Sequence, residues 1–384
     1  MIRYPKQDWD PQSEAVQCNQ RAAYDQMREY CPVAFSDFFQ WSVFRHADVC
    51  RILLDPQTFS SRVSQHVSVP NGMDPPQHTF YRKLIDPYFN ADRMATFRWQ
   101  CQAIADELVN RLSGRCKIDL MAELARPFAS RVQCAFMGWP LELQPALLHW
   151  VKNNNSAVLA GNRRALSALA AEFEDIVGSQ LNIRVHVKTG SDTDVTSRLL
   201  QEQINGRLLN NQEIAGILRN WTVGEVGTIA ASVGILAHFL AGHPDIQQQL
   251  REKPELLWQA NDEILRMHNP LVDSRRFNTR TVELGGRKIP AGQRVTINWI
   301  AANRDPEAFH DPDKFSLERA TTKNLLYGAG IHQCPGKPLA RMELVVIMQN
   351  LLQQITQLRL IAGQPAVFAR YPASGFFSLP LKLN

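Results

Sequence analysis

A single cysteine in the last quarter of the chain is a candidate metal ligand. Cys334 belongs to the glycine-punctuated stretch Tyr-Gly-Ala-Gly-Ile-His-Gln-Cys-Pro-Gly-Lys-Pro-Leu-Ala-Arg (residues 327–341), which leads into apolar residues at helical spacing. Glycines let a backbone approach a flat ligand, and Pro338 suits a first helical turn. The N–H groups of Gly336 and Lys337 can point at the sulfur and favour the thiolate. The stretch therefore predicts a thiolate suited to serve as an axial ligand of iron.

Residues 327–341 resemble the heme-binding loop of the cytochrome P450 family, Phe-Gly-x-Gly-x-His-x-Cys-x-Gly followed by Leu-Ala-Arg. An isolated Gly-x-x-Cys would be a structural cysteine before a helix, but this match is much longer. The resemblance runs from about residue 48 to 380. It implies that Cys334 ligates heme b (iron protoporphyrin IX) and that its thiolate helps to break the O–O bond. Tyr327 replaces the family's phenylalanine and is expected to put a hydroxyl on the sulfur side of the ligand.

Four side chains are candidates for contacts with the two propionates of heme, which need cations or donors when buried. His78 and Arg82 lie one helical turn apart, as in the family's His-x-x-x-Arg. Arg276 precedes a predicted hairpin at the family's position, and His332 lies two residues before Cys334. Any one alone would be a surface cation or a core histidine. Together, by resemblance, they are predicted to hold the propionates.

A long apolar segment is predicted, by resemblance, to cross the heme and to carry an acid-alcohol pair that relays protons to oxygen. Thr228 falls where the family has its threonine, but Gly227 replaces the acid. The nearest carboxylate, Glu225, lies three residues before Thr228 on a neighbouring part of the helix surface. The proton route stays open between Thr228 with water, Glu225 and a substrate group. Thr228 could instead only bend the helix by bonding a preceding carbonyl.

Three glycines interrupt the same segment. Gly224, Gly227 and Gly234 each cost a helix about 1 kcal/mol relative to alanine. Close approach of heme and oxygen is the predicted reason for all three.

A second group of charged residues is expected to have a structural role. Glu263 and Arg266 stand at i and i+3 on a predicted helix, where an isolated pair would usually be a solvated surface bridge. The family pairs this helix with a later arginine, and Arg319 stands just before the cysteine loop. By resemblance, the three residues are predicted to form a brace.

Helical periodicity dominates the chain, and strand-like alternation is rare. The sequence predicts a mainly α fold with small β-sheets (α+β), with residues 1–384 as a single domain. By resemblance this is the single-domain cytochrome P450 fold with a long central helix over the heme. Helices are predicted over residues 13–31, 46–54, 78–89, 91–112, 144–159, 163–181, 211–241, 255–268 and 337–355, and strand pieces over 32–44, 282–297 and 376–381.

Composition limits the class of protein. The chain has 384 residues, of which 45% are hydrophobic and 21% charged. A chain of this size and composition can bury a core without disulfides or structural metals. Its net charge of +5 is spread along the sequence, which argues against nucleic-acid binding. The seven cysteines show no disulfide or zinc pattern and indicate reduced thiols in the cytoplasm. The first ten residues hold no apolar stretch of the kind a signal or anchor needs.

Residues 221–240 leave two interpretations open. The segment is long and apolar enough to span a bilayer, with only Glu225 and His238 able to ionise. A glutamate in mid-membrane is costly, and no second span accompanies it. A long buried helix is the preferred interpretation, and no membrane partner is predicted.

Substrate and partner follow from the resemblance. Substrate is expected to touch residues 67–73, 159–169, 223–224, 271–273 and 376–377, which are mostly apolar and favour a small or medium hydrophobic compound. Lys83, Lys337 and Arg341, with the outer side of Arg82, are expected to cluster on the cysteine side of the heme. Such a face could steer an acidic ferredoxin or flavodoxin, or be an ordinary solvated patch.

The sequence thus predicts a monooxygenase that uses NAD(P)H through separate redox partners and a reductase. Cys334 would ligate the iron, and Thr228 would assist proton delivery. Because Gly227 replaces the acid, a peroxide-driven or non-hydroxylating heme-thiolate enzyme is the alternative. A heme-binding or sensing protein without turnover is the alternative from another class.

Overall fold

The computed structural model describes residues 6–63, 67–187 and 194–384; residues 1–5 of the N-terminal segment considered above lie outside them. Helices dominate, as predicted. The α-helices are α1 (Glu14–Cys18), α2 (Gln20–Tyr30), α3 (His46–Leu54), α4 (Gln77–Ile85), α5 (Ala91–Asn110), α6 (Arg126–Met137), α7 (Gln144–Leu159), α8 (Arg163–Val187), α9 (Val195–Leu199), α10 (Asn211–Thr222), α11 (Thr228–Gly242), α12 (Pro244–Glu252), α13 (Leu257–Met267), α14 (Trp299–Ala302) and α15 (Lys337–Gln354).

The strands are short and form small sheets. The largest sheet has five strands in the order β1-β2-β10-β7-β3, and a second has the order β11-β14-β4. The remaining strands form three two-stranded ribbons. In chain order the strands are β1 (Val33–Ser36), β2 (Gln40–Val43), β3 (Phe59–Ser60), β4 (Lys117–Asp119), β5 (Gln203–Ile204), β6 (Arg207–Leu208), β7 (Asp273–Asn278), β8 (Val282–Leu284), β9 (Arg287–Ile289), β10 (Arg294–Asn298), β11 (Leu358–Leu360), β12 (Val367–Phe368), β13 (Phe376–Ser378) and β14 (Pro380–Leu383).

The predicted central helix is a continuous helical segment, Asn211–Gly242, made of α10, a π-helical turn (Val223–Gly227) and α11. A capping box at Asn210 and Glu213 fixes its start. By length and composition this segment could cross a membrane, yet 61% of its most apolar stretch is buried inside the fold. That burial agrees with the predicted core helix.

The main hydrophobic core lies between this helix and its neighbours. Side chains of α5, α6, α11, α13 and α15 form one buried cluster, in which Phe128, Leu236 and Ile347 are almost fully buried. Each such side chain contributes about 1.5–3 kcal/mol to stability. The cluster fixes α11 against α15, and so fixes the central helix relative to the cysteine loop that precedes α15.

Most predicted elements form, and the differences have physical causes. Helix α6 was not predicted because its buried face includes polar residues, Ser130 and Gln133, which interrupt the apolar spacing. Strand β7 was missed because its sequence, Asp-Ser-Arg-Arg-Phe-Asn, is polar. The hairpin predicted over 282–297 is shorter, β8 with β9, while β10 pairs instead with β2 and β7.

Candidate active site

The cysteine loop folds back on itself before α15 begins. The Cys334 N–H donates to the Tyr327 carbonyl oxygen at 2.9 Å, and a turn of 3-10 helix (Gly330–His332) lies between them. Helix α15 then begins at Lys337, with Pro338 in its first turn, as predicted. Cys334 is therefore presented at the start of a long, well-packed helix.

Two glycines are required by the backbone of this loop. Gly328 and Gly330 both have a φ of 70°, the left-handed region that disfavours side chains. At Gly330 a Cβ atom would also collide with the carbonyl oxygen of Leu53 on α3. The second glycine therefore sets how closely the loop packs on α3.

The electrostatics of the sulfur differ in part from the prediction. The backbone N–H groups of Gly336 and Lys337 lower the pKa of the Cys334 thiol, as predicted, and Arg82 adds positive charge nearby. Burial nevertheless outweighs these effects and raises the pKa of the Cys334 thiol. The two N–H groups therefore favour the thiolate as predicted, while burial, which the sequence does not show, has the larger and opposite effect on the pKa of the thiol. The thiol is accessible inside the fold, and coordination to a cation would deprotonate it.

The hydroxyl of Tyr327 forms a hydrogen bond to α13. It donates to Asp262 of α13 at 3.3 Å, so its hydrogen bond goes to a carboxylate and not to sulfur. Asp262 also pairs with Arg341 of α15, whose Nε lies 3.1 Å away. The Tyr327 ring lies beneath the charges of Arg341 and Lys337, at 5.6 and 5.5 Å. These contacts tie the loop to α13 and α15.

The two predicted histidines come together beside the loop. The rings of His78 on α4 and His332 lie 4.2 Å apart. Nε2 of His332 bonds to the hydroxyl of Ser61 at 2.9 Å, whereas Nε2 of His78 is buried without a partner in the described residues. Burial and the nearby cations lower the pKa of His332 to about 3 and lower that of His78. Both rings are therefore neutral hydrogen-bonding groups.

Arg276 completes this cluster from β7. Its side chain is 9% exposed, and burial lowers its pKa to about 10. It donates to the carbonyl oxygen of Arg275 at 2.8 Å but forms no ion pair within the described residues. A buried arginine without a carboxylate is costly unless an anion joins it.

Arg82 is already engaged. Its Nε lies 2.9 Å from Asp86, and one terminal nitrogen donates to the carbonyl oxygen of Gln333 at 2.6 Å. Arg82 therefore anchors α4 to the cysteine loop as well as adding charge beside it. Thiol, imidazoles and arginines together match an iron porphyrin with two carboxylates, so the donor set fits the predicted heme.

Thr228 lies at the junction of the π-helical turn and α11. Its hydroxyl donates to the carbonyl oxygen of Gly224, the helix-bending contact considered above. Such π-helical turns are often found at functional sites. A Cβ atom on Gly224 or Gly227 would meet nothing, which agrees with room for a ligand here. At Gly234 it would collide with Met121, so packing is the reason for that glycine, and the prediction is wrong there.

Glu225 does not extend to Thr228; no hydrogen bond joins them in the described part of the chain. Its carboxyl group interacts electrostatically with that of Glu343 on α15, and Oε1 of Glu225 and both carboxyl oxygens of Glu343 are buried without a hydrogen-bond partner among the described residues. Burial raises the pKa of Glu225 to about 7. Burial and the facing Glu225 raise the pKa of Glu343 well above its ordinary value. Two buried carboxyl groups thus meet between the central helix and α15.

The predicted brace forms, and it is buried. Glu263 accepts from Arg266 at 2.9 and 3.0 Å and from Arg319 at 2.7 Å. Arg266 is completely buried, so the surface-bridge alternative is wrong. The brace joins α13 to the segment that enters the cysteine loop.

The expected substrate-contact regions differ in exposure. Val67, Val223, Leu271 and Phe377 are exposed, whereas Val272 is fully buried. Large apolar side chains that remain accessible are suited to contact a hydrophobic compound.

Sequence reasoning missed two residues of the site. Ser61, which bonds to His332, lies in a loop with no distinctive pattern. Glu343 carried a usable signal, because it shares a helical stripe with the apolar Leu339 and Ile347. A glutamate on the buried face of a helix is unusual, and such a position indicates a carboxyl group removed from solvent.

Comparison with known proteins gives a consistent result. The family model described as cytochrome P450 matches residues 66–357. Cyclomarin C epoxidase CymV of Salinispora arenicola is 28% identical over 364 residues, covering 90% of this chain and 91% of that protein. Cytochrome P450 CYP107DY1 of Priestia megaterium is 30% identical over 369 residues, with 89% of each chain covered. The crystal structure of CYP109E1 from Bacillus megaterium with testosterone has a TM-score of 0.83 and 26% identity, covering 95% of this chain and 99% of that one.

Proposed function

This chain belongs to the cytochrome P450 family and is a heme-thiolate monooxygenase, and on that premise we propose that it inserts one oxygen atom of O2 into a small or medium hydrophobic substrate. The observation that carries this proposal is the setting of Cys334. An accessible thiol lies at the start of α15, where the backbone N–H groups of Gly336 and Lys337 lower its pKa. Beside it lie two imidazoles and two arginines, of which His78 and Arg276 are buried.

We assign the cofactor as heme b. Cys334 would ligate its iron, while His78, Arg276 and His332 would contact its propionates and Arg82 would fix the loop and add charge. When bound, heme supplies the one-electron and O2 chemistry that side chains cannot perform. The protein's part is to orient the group, exclude water and hold protons nearby.

The proposed proton route starts from Thr228 and Glu225. The Thr228 hydroxyl hydrogen is engaged with the Gly224 carbonyl oxygen, which leaves the hydroxyl oxygen free to accept from water. Glu225 is an acid whose raised pKa suits proton exchange near neutral pH. A water chain from Glu225 past Thr228 would replace the acid-alcohol pair that Gly227 interrupts.

Electrons would come from NAD(P)H through a reductase and a separate ferredoxin or flavodoxin. The proposed docking face is the cysteine side, where Lys83 is exposed and Lys337 is partly exposed. Arg82 and Arg341 pair with Asp86 and Asp262, so they add less charge than expected. We place the enzyme in the cytoplasm, since all seven cysteines are free thiols.

The substrate class follows from the accessible apolar residues Val67, Val223 and Leu271. A steroid occupies one neighbouring structure, that of CYP109E1 with testosterone. Testosterone and a panel of other hydrophobic compounds are therefore suitable probes, scored first by the spin-state shift of the heme absorption.

Isotope labelling tests the reaction. Compounds that shift the spectrum are incubated under ¹⁸O₂ with NADPH, a ferredoxin and its reductase. The proposal expects one ¹⁸O atom in the product and no product without the reductase. Product that lacks ¹⁸O would contradict it.

A peroxide-driven reaction is the second candidate, and Gly227 in place of the acid is the observation that favours it. If this candidate is correct, hydrogen peroxide alone should support product formation. The rate should be at least equal to the rate with NADPH and the redox partners. Omitting the reductase from parallel reactions therefore separates the two candidates.

A further inference from the structure

A group of charged side chains lies on the face of β7 opposite to Arg276. Asp273 and Arg275 alternate with Ser274 and Arg276 along the strand, so the two pairs point to opposite faces. The hydroxyl of Tyr371 donates to Asp273 at 3.1 Å and accepts from Nη2 of Arg275 at 2.9 Å. Nε of Arg275 lies 3.5 Å from Asp273. These contacts hold Arg275 in place and leave its other terminal nitrogen, Nη1, without a partner in the described residues.

Strand β10 brings a second arginine to the same face. Arg294 is paired in register with Phe277, so it lies diagonally across from Arg275. Arg294 is half-buried, and its guanidinium has no hydrogen bond or ion pair within the described parts of the chain. Burial lowers the pKa of Arg294, and the charges of Arg275 and Arg163 lower it further. A half-buried guanidinium beside a second one is costly unless an anion joins them.

The turn between α7 and α8 lies beside this face. The ring of Phe38 packs on Tyr371, with centroids 5.7 Å apart, and a Cβ atom added at Gly161 would lie 3.9 Å from the Phe38 ring. Arg163 begins α8 two residues after Gly161 and is exposed. It belongs to residues 159–169, which are expected to contact substrate. The arginines are thus reached from solvent next to a proposed substrate-contact segment.

An apolar surface adjoins the arginines. Leu271 is 39% exposed and lies two residues before Asp273. Its backbone forms a β-bridge with Ala373, which lies two residues after Tyr371. An extended chain advances about 3.3 Å per residue, so Leu271 and Arg275 are about 13 Å apart along it. A molecule that contacts both residues therefore needs an apolar part of about that length and an anionic end.

We propose that Arg275 and Arg294 bind a carboxylate of the substrate, and that the substrate is an amphipathic acid, such as a fatty acid, whose chain lies along Leu271. This inference rests on the monooxygenase function proposed above and narrows its substrate class. The guanidinium fork matches the two oxygens of a carboxylate. One carboxylate also balances the charge that remains when Asp273 is paired with Arg275. Arg163, at the exposed end, attracts the anion from solvent.

Arg294 gives the cleaner test, because its guanidinium has no partner in the described residues to lose. We expect Arg294→Gln to unfold at the same temperature as wild type or slightly above it, since repulsion from Arg275 is relieved. Arg275→Lys keeps a charge beside Asp273 but removes the fork, so it tests the second arginine without leaving that carboxylate unpaired. Arg280→Gln, which replaces an exposed arginine just beyond β7, is the matched control.

Isothermal titration calorimetry of the heme-loaded protein measures binding without turnover. The probes are the straight-chain fatty acids from octanoic to dodecanoic acid, each with its methyl ester. We expect at least one acid to bind wild type about tenfold or more tightly than its ester, because the ester carries no charge. Arg294→Gln should weaken binding of that acid roughly 10- to 100-fold and leave the ester unchanged. Arg275→Lys should also weaken it, and Arg280→Gln should match wild type.

Acids that bind no more tightly than their esters would overturn the proposal, as would equal affinity for the acid in Arg294→Gln and Arg280→Gln. Loss of stability in Arg294→Gln with unchanged affinity would assign Arg294 a structural role and also overturn it. The binding measurement stands if the monooxygenase reaction fails. Conversely, ¹⁸O incorporation into a neutral compound would support the monooxygenase even if no acid bound, so the two proposals fail separately.

Discussion

At the scale of single residues, the site depends on polar groups that the protein itself leaves incompletely satisfied. Arg276 is buried without a carboxylate, and Nε2 of His78 has no partner among the described residues. Cys334 carries a thiol whose pKa is raised by burial despite two backbone donors. Burying Arg276 or the His78 nitrogen without a partner is costly, and an anionic iron porphyrin would satisfy both and ligate Cys334.

Replacing Arg276 tests this interpretation. We expect Arg276→Gln to release heme roughly 10 to 100 times faster than wild type, because a buried charged hydrogen bond contributes about 1.5–3 kcal/mol. Transfer of heme to an excess of apomyoglobin measures the rate. Arg280→Gln, an exposed arginine just beyond the same strand, is the control and should change nothing. Equal release from both variants would exclude a propionate contact.

The buried glutamate pair makes a prediction about pH and stability. Both groups titrate near their ordinary pKa in the unfolded chain but hold protons to higher pH when folded. The folded state therefore binds more protons, and the stability from this pair is greatest at acid pH and falls as pH rises through about 7. Each extra proton gives a slope of about 1.4 kcal/mol per pH unit.

Urea denaturation at pH 5 and pH 8 measures this fall. We expect Glu225→Gln to lose about 1–3 kcal/mol less stability than wild type between the two values. Glu213→Gln, whose carboxyl group is ionised at both, should lose the same amount as wild type. Equal losses in wild type and Glu225→Gln between the two pH values would contradict the raised pKa.

At the scale of elements, the position of the cysteine is set by how its loop packs. The loop rests on α3 at Gly330, is anchored to α4 by Arg82, and is tied to α13 through Tyr327 and Asp262. The buried brace at Glu263 holds the segment before it. Loop position therefore depends on three helices distant in sequence, α3, α4 and α13.

Two glycines with the same backbone strain separate strain from packing. Gly330→Ala and Gly363→Ala both place a side chain in the left-handed region, at φ of 70° and 76°. Only the Cβ atom added at position 330 would meet a backbone oxygen. We expect Gly363→Ala to cost about 1 kcal/mol and Gly330→Ala at least twice that, with reduced heme content. Thermal unfolding and the ratio of heme to protein absorbance measure both effects. Equal losses would show that contact with α3 does not position the loop.

At the scale of the whole molecule, sequence reasoning was most successful where a pattern was local. The cysteine loop and the central helix were predicted, since each rests on a pattern along one segment. That His78 and His332 belong to one site was implied only by the family resemblance, because the two residues are far apart in sequence. The partners of Tyr327 and Glu225 were not, because both lie on helices distant in sequence. The effect of burial on the pKa of the Cys334 thiol was also not predicted, since burial depends on the whole fold. That residues 1–384 form one domain stays a prediction.

The proposed partner face also belongs to this scale. Lys83→Gln should lower the rate of reduction by an acidic ferredoxin several-fold at low ionic strength, because it removes a charge that steers association. The difference should diminish near physiological salt, where charges more than about 8 Å apart are screened. Lys117→Gln, on the separate sheet that contains β4, is the control. Equal rates for both variants at low salt would place the partner elsewhere.

The most direct test of the central claim is the absorption spectrum of the purified protein, reduced with dithionite under carbon monoxide. Ligation through the Cys334 thiolate predicts a strongly red-shifted Soret band, lost in Cys334→Ser and retained in Cys101→Ser. A globin-like band in the wild-type protein, or no bound heme, would contradict the account.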